Sequence, residues 1–223
     1  ALNSLSLELI GALAAALDTA GTDPETRVVV LAGAGKAFCA GGDLPYLEAL
    51  IELVATHRYI SQAGGVIRTI MKLEKPVIAM VNGAAAGAGF NLALACDIVF
   101  AGESARFIQA FARIGLIPDC GGHFLLPRLV GLQKAKELMF TAEPLDAAGA
   151  LGLGVINRVV PDAELAAATY AYANKLAAGP PVALSMMKRL LNQTFDLGLD
   201  AVLSAEADAQ TLCVQTADSK EGI

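Results

Sequence analysis

Apolar positions along the chain alternate between two rhythms. Leu5, Leu9, Leu13 and Leu17 repeat every four residues behind Asn3 and Ser4, either of which can cap a helix ending near Gly21. Thr22-Asp23-Pro24 reads as a loop. Arg27-Val28-Val29-Val30-Leu31 reads as a strand too continuously apolar to have a wet face. Helical spacing returns from Leu44 to Leu73 through Leu47, Leu50, Ile51, Val54, Ile60, Val66, Ile67 and Ile70, with Gly64-Gly65 as a candidate bend. Val77, Ile78 and Val81 mark another strand, which runs into the Asn82-Gly83 turn and then directly into a buried helix through Phe90, Leu92, Leu94 and Ala95. Asp97 to Ala101 is a further short strand, and Glu103 to Phe107 a turn with extended chain. A helix is predicted through Phe124, Leu125, Leu129 and Val130. Gly131, Pro144 and the Gly152/Gly154 pair punctuate short helices before a last strand over Val155 to Val160.

Past Pro161 the strand signals stop. Ala163 to Ala178, Val182 to Asn192 and Leu199 to Gln215 read as successive helices, separated by Gly179-Pro180-Pro181 and Gly198. The pattern predicts an α/β core over residues 1–160 and a helical assembly region over 161–223.

Three glycine-rich turns carry the candidate chemistry. In Asn82-Gly83-Ala84-Ala85-Ala86-Gly87-Ala88-Gly89 only small side chains stand before a helix start. The first N–H groups of a helix have no partner within it and carry the positive end of its dipole, so a ligand oxygen can approach them directly. Close packing of backbones through small residues explains the same stretch equally well. In the second turn, Cys39-Ala40-Gly41-Gly42-Asp43, glycines free an N–H to face a pocket. Gly33 and Gly35 fit neither a dinucleotide fingerprint nor a P-loop. The third turn is Ile117-Pro118-Asp119-Cys120-Gly121-Gly122.

Composition narrows the setting. The 223 residues suffice for one sizeable core, and 22 glycines with 5% aromatic residues and no tryptophan imply closely packed backbones. Only 17% of residues are charged, which predicts surface hidden in an oligomer. A net charge of −6 argues against nucleic acid as partner. Pro76 to Cys96 is uncharged over nearly the length of a membrane span, but its two asparagines, NG turn and glycines argue against a membrane. Cys39, Cys96, Cys120 and Cys213 form no CxxC pair, so no metal site is expected and the thiols read as reduced. With no leader at the start of this stretch, a cytoplasmic location is expected.

The segments KAFCAGGDL, KPVIAMVNGAAAGAGFNLALACDIVFA and ARFIQAFARIGLIPDCGG, with RLVG and GLGVINRVV beyond them, resemble the crotonase superfamily, the enoyl-CoA hydratase/isomerase family. The likeness covers nearly the whole chain. It implies a crotonase-like α/β spiral of ββα units, a C-terminal helical trimerisation region and a homotrimer or hexamer. Relative to the family the first strands and the final helix fall outside this chain, and with them part of the acyl pocket. The implied ligand is an acyl-CoA thioester, coenzyme A being part of the substrate, with no cofactor and no metal. Carried over by position, the N–H groups of Gly42 and Ala88 form an oxyanion hole. Lys36, Phe38, Ala40, Gly41, Leu44, Gly87, Asn91, Phe111 and Pro118 lie along the substrate or its CoA moiety, with Lys36 near phosphate.

Hydratases of this family flank the substrate double bond with two glutamates, and here those positions hold Asn91 and Phe111. Asparagine cannot take a proton at neutral pH. Asp119 stands where several isomerase branches place an aspartate, including the ring-opening isomerases of phenylacetate catabolism. The resemblance therefore implies an enoyl-CoA isomerase in which one carboxylate removes a proton and returns it to another carbon. A hydratase or other lyase or hydrolase of the family, and a catalytically silent acyl-CoA-binding subunit, are the alternatives. The alternative for Asp119 is a turn aspartate capping the helix after Gly122. By the resemblance Asp43 and Asp97 are expected to hold loops; Glu103 is expected at a surface turn, His57 to be structural or solvated, and His123 either to orient Asp119 or to face solvent.

Overall fold

A computed structural model of the chain describes residues 2–223. Helix α1 (Leu7–Thr22) opens at Ser6, whose hydroxyl accepts from the Leu9 N–H at 3.2 Å, so the cap falls two residues beyond Ser4. Strands β1 (Val29–Ala32) and β2 (Ala37–Cys39) lead to two helices, α2 (Leu44–Ala49) and α3 (Leu53–Lys72). The single helix predicted over 44–73 is thus broken at Leu50 to Glu52, and Gly64-Gly65 passes through α3 without a break. The apolar residues at the break, Ile51, Leu53 and Val54, face solvent, so no core contact holds them in one helix. At Gly64 and Gly65 the buried Ala63, Val66 and Ile67 hold α3 together across the weak helix formers.

Strand β3 (Val77–Val81) passes through the Asn82-Gly83 turn into β4 (Ala84–Ala86), and only then into α4 (Ala88–Ala95). The direct turn-to-helix passage predicted there is corrected. Three alanines have little strand preference of their own, and pairing with β2 on one side and β6 on the other makes them a strand. Strands β5 (Ile98–Gly102) and β6 (Arg106–Ile108) precede a 3-10 turn over Ala110–Ile114 and α5 (Gly122–Thr141), which kinks at Gly131. Strand β7 (Leu145–Asp146), α6 (Ala147–Gly152) and β8 (Arg158–Val160) complete the α/β part. The helices α7 (Leu165–Ala177), α8 (Pro181–Leu191), α9 (Leu199–Val214) and α10 (Ala217–Gly222) follow.

The strands divide into two sheets. One is parallel throughout, in order β1-β3-β5-β8, and the other runs β2-β4-β6-β7 with only β7 antiparallel. Successive ββα units place one strand in each sheet and then a helix, so the chain winds as an α/β spiral and carries helices at its C-terminal end. Parallel sheets covered on both faces are continuously apolar, as in β3, whose Val77, Ile78, Ala79 and Val81 are wholly inaccessible. All eight residues of α4 are buried. No helix among the described residues is long and apolar enough to cross a membrane.

Lys188 of α8 fastens the C-terminal helices to this core. Its Nζ donates to the carbonyls of Ile70 and Lys75 and to Asp97 Oδ2 at 2.7 Å, and Asp97 Oδ2 also accepts from the Val77 N–H. Burial raises the Asp97 carboxyl pKa, while the Lys188 ammonium pulls it back.

Candidate active site

The β2 and β4 ends bring the first two glycine-rich turns against each other. Gly41 has φ +98°, and a Cβ there would lie 2.7 Å from the Ala86 carbonyl oxygen and 3.4 Å from the Ala88 nitrogen. Only glycine combines that backbone conformation with so close an approach. Gly89, one residue into α4, packs on Cys39, where an added Cβ would lie 2.2 Å from the carbonyl oxygen. The start of α4 is therefore pressed onto the end of β2.

Two N–H groups at this junction are unspent. Helix α4 begins after Gly87 with no side-chain cap, and Ala88 N–H has no acceptor among the described residues. Gly42 N–H has none either. Leu5 pairs with Gly42 in an isolated parallel bridge, donating from its N–H to the Gly41 carbonyl at 2.7 Å. In a parallel bridge the residue opposite turns its own N–H to the far side. For Gly42 that side is the one away from Leu5.

The third turn closes on α4. Asn91, one turn past Ala88 and fully buried, donates from Nδ2 to the Asp119 carbonyl at 2.8 Å and accepts at Oδ1 from Gln109 Nε2 at 2.8 Å. Both ends of its amide are occupied. Phe111, buried from the 3-10 turn, puts its ring edge against Gly87, 3.6 to 3.9 Å from where a Cβ would be. Asp119 is half-buried behind Pro118, and its Oδ1 is inaccessible and without a partner among the described residues. Burial raises the Asp119 carboxyl pKa, and the neighbouring Cys120 thiol lowers it by less. The same burial, with Asp119 beside it, pushes the Cys120 thiol up.

The helix after this turn is capped without the aspartate side chain. Gly121 is its N-cap, and it is the main-chain carbonyl of Asp119 that accepts from the Gly122 N–H at 2.9 Å. His123 is exposed and makes no hydrogen bond to Asp119; His57, also exposed, lies 3.4 Å from the Ser61 hydroxyl. Asp43 caps α2, accepting from the Tyr46 N–H. Glu103 is exposed.

Of the residues singled out in the sequence, Gly41 and Ala88, Gly87 and Phe111, and Asn91 and Asp119 are thus brought together in pairs around the start of α4, with Gly42 and Pro118 next to them along the chain. Lys36, just before β2, and Ala40 and Leu44, after it, are exposed. Phe38 is buried and lines a separate cleft of about 200 Å³ with Leu9, Leu13 and Leu92. The sequence reading missed Gln109 and Tyr59. Gln109 is the one uncharged polar residue in the apolar run Phe107 to Phe111, which was an available signal. Tyr59 gave none.

Two sheets wound as ββα units define an α/β spiral that leaves main-chain amides free where a strand end meets a helix start. The family model described as enoyl-CoA hydratase/isomerase matches residues 1–223. An Escherichia coli protein named 1,2-epoxyphenylacetyl-CoA isomerase is 40% identical over 228 residues, covering 100% of this chain and 86% of its own length. The short-chain-enoyl-CoA hydratase of Clostridium acetobutylicum is 36% identical over 224 residues, covering 100% of this chain and 85% of its own. The crystal structure of an enoyl-CoA hydratase from Bacillus anthracis superposes with a TM-score of 0.95 at 35% identity, over 99% of this chain and 86% of that one. The chain belongs to the enoyl-CoA hydratase/isomerase family, and it is an enzyme of that family.

Proposed function

We propose that the protein is an enoyl-CoA isomerase that moves a double bond within an acyl-CoA thioester. The thioester carbonyl sits against the N–H groups of Gly42 and Ala88. The Asp119 carboxylate takes a proton from a carbon conjugated with that carbonyl, and the electron pair moves through the chain onto the thioester oxygen. The two amides hold the resulting enolate. Asp119, now protonated, returns the proton at a different carbon, so substrate and product are isomers and nothing else is consumed. One well-aimed amide contributes about 3 kcal/mol to such a transition state.

The observation that carries this reading is the state of Asn91. It can neither give nor take a proton at neutral pH, and both ends of its amide are committed to Gln109 and Asp119. With Phe111 at the other position, hydration by two carboxylates has neither of its acids, and Asp119 is the carboxylate on the turn that Asn91 tethers to α4. Its raised pKa suits a base that must give its proton back. Exposed apolar residues on the C-terminal helices, among them Met187, Leu191, Leu199 and Leu203, support assigning residues 161–223 to assembly in a trimer or hexamer.

A panel of 2-enoyl-, 3-enoyl- and dienoyl-CoA thioesters, with products identified by mass and NMR, tests the proposal. Isomers of unchanged mass are expected. Products heavier by one water as the main outcome would overturn it in favour of hydration, and binding of every thioester without turnover would leave only a silent acyl-CoA-binding subunit.

A further inference from the structure

The geometry points to Tyr59 as the residue that aims the Gly42 amide, an inference that rests on the oxyanion-hole reading of Gly42 and Ala88. Tyr59 lies on α3, buried, with its ring packed on Tyr46 at 5.2 Å between centroids. Its hydroxyl donates to the Leu5 carbonyl at 2.6 Å and accepts from the Asp43 N–H at 3.0 Å. The phenol is thus inserted as a rung of the bridge between Leu5 and the β2 extension. Leu5 holds one peptide next to Gly42 through the Gly41 carbonyl, and Tyr59 holds the other through the Asp43 N–H. With both neighbours pinned to the Leu5 side, the Gly42 N–H faces away from Leu5, the side on which the oxyanion-hole reading puts the thioester oxygen. Gly42 also fits closely under the phenol: a Cβ on it would lie 3.5 Å from the Tyr59 hydroxyl.

Tyr59 therefore touches no reacting atom and is a positioning residue. Removing its hydroxyl leaves the Asp43 N–H without its partner and lets the Gly42 peptide tilt. An amide turned away from the developing charge loses its effect in the transition state while ground-state binding of the CoA moiety is unaffected.

The test compares wild type and Tyr59→Phe by kcat, by KM, and by the carbonyl stretch of a bound 2-enoyl-CoA labelled with carbon-13 at the thioester carbonyl. Circular dichroism confirms folding. Should Tyr59→Phe not fold, 4-fluorophenylalanine placed at position 59 fills the hydroxyl's volume with an atom that cannot donate. In wild type the stretch is expected to fall below its solution frequency. In the variant much of that fall is expected to be lost, with kcat reduced about 10- to 100-fold and KM changed less than about 3-fold. A full downshift and unchanged kcat in the variant would overturn the role of Tyr59 alone. No downshift in wild type would overturn the oxyanion-hole reading itself, and the inference with it.

Discussion

The side-chain amide of Asn91 holds the main-chain carbonyl of Asp119 at 2.8 Å, so the position where the family resemblance expects a hydratase's acid carries a tether for the turn of Asp119, the proposed base. The bond runs from buried α4 to the turn before α5, and Gln109 fixes the other end of the same amide. A Cβ on Gly122 would lie 2.5 Å from Asn91 Nδ2, so there is no room beside the amide for a longer side chain.

Restoring the hydratase glutamate by Asn91→Glu is therefore expected not to install hydration. The extra methylene overfills the site, and a carboxylate would face the Asp119 carbonyl where a donor is needed. We expect a loss of about 1–3 kcal/mol in chemical denaturation and lower isomerase activity, with no water adduct formed. A hydratase emerging from this one change would contradict the structural role given to Asn91.

Gly122→Ala tests the same contact from the other side. Its Cβ must displace the Asn91 amide, which has no free end to move toward. A loss of about 1–3 kcal/mol is expected, together with a fall in kcat, because the Asp119 turn loses its anchor. An unchanged melting temperature would show that the turn is held by something else.

The raised pKa of Asp119 makes two pH statements. As the proposed base it would work only when ionised, so the acidic limb of kcat/KM should fall above the ordinary carboxylate value of about 3.9. Its folded pKa lies above its unfolded one, so the fold disfavours the ionised form, and stability associated with the group is lost as pH rises through the folded pKa. Asp119→Asn should accordingly melt higher than wild type at pH 7, with the gap closing below about pH 4, where the carboxyl is protonated in both states. Thermal melts across that range check the sign. A variant less stable than wild type at pH 7 would contradict it.

How much of this was legible beforehand depends on range along the chain. The glycine-rich turns stood out because their small residues are neighbours in sequence. The surface position of Glu103 followed from its local setting, whereas the loop-holding roles of Asp43 and Asp97 came only with the family resemblance. Strand β4 was hidden because Ala84-Ala85-Ala86 becomes extended only between two other strands. The break after α2 was hidden because Ile51 and Leu53 continue the apolar spacing but meet no partner. Tyr59 and Gln109 act on residues 54 and 18 positions away, and no local pattern marks a phenol as a rung between strands.

Lys188 has the same long reach, 91 residues from Asp97. Lys188→Met strands a buried carboxylate and should cost about 3 kcal/mol in chemical denaturation. Adding Asp97→Asn removes that charge and keeps an acceptor for the Val77 N–H, so the double variant should recover part of the loss. Strict additivity of the two changes would contradict a coupled pair.

The most direct measurement is proton exchange at the substrate. A 3-enoyl-CoA incubated in deuterium oxide with wild-type protein should convert to the conjugated isomer, with the deuterium that has exchanged onto the Asp119 carboxyl entering at the fourth carbon, where the proton is returned. With Asp119→Asn, which retains the two free amides of Gly42 and Ala88, exchange and isomerisation should both fall at least about 100-fold while the thioester still binds. Exchange at the wild-type rate in that variant would mean that another group moves the proton.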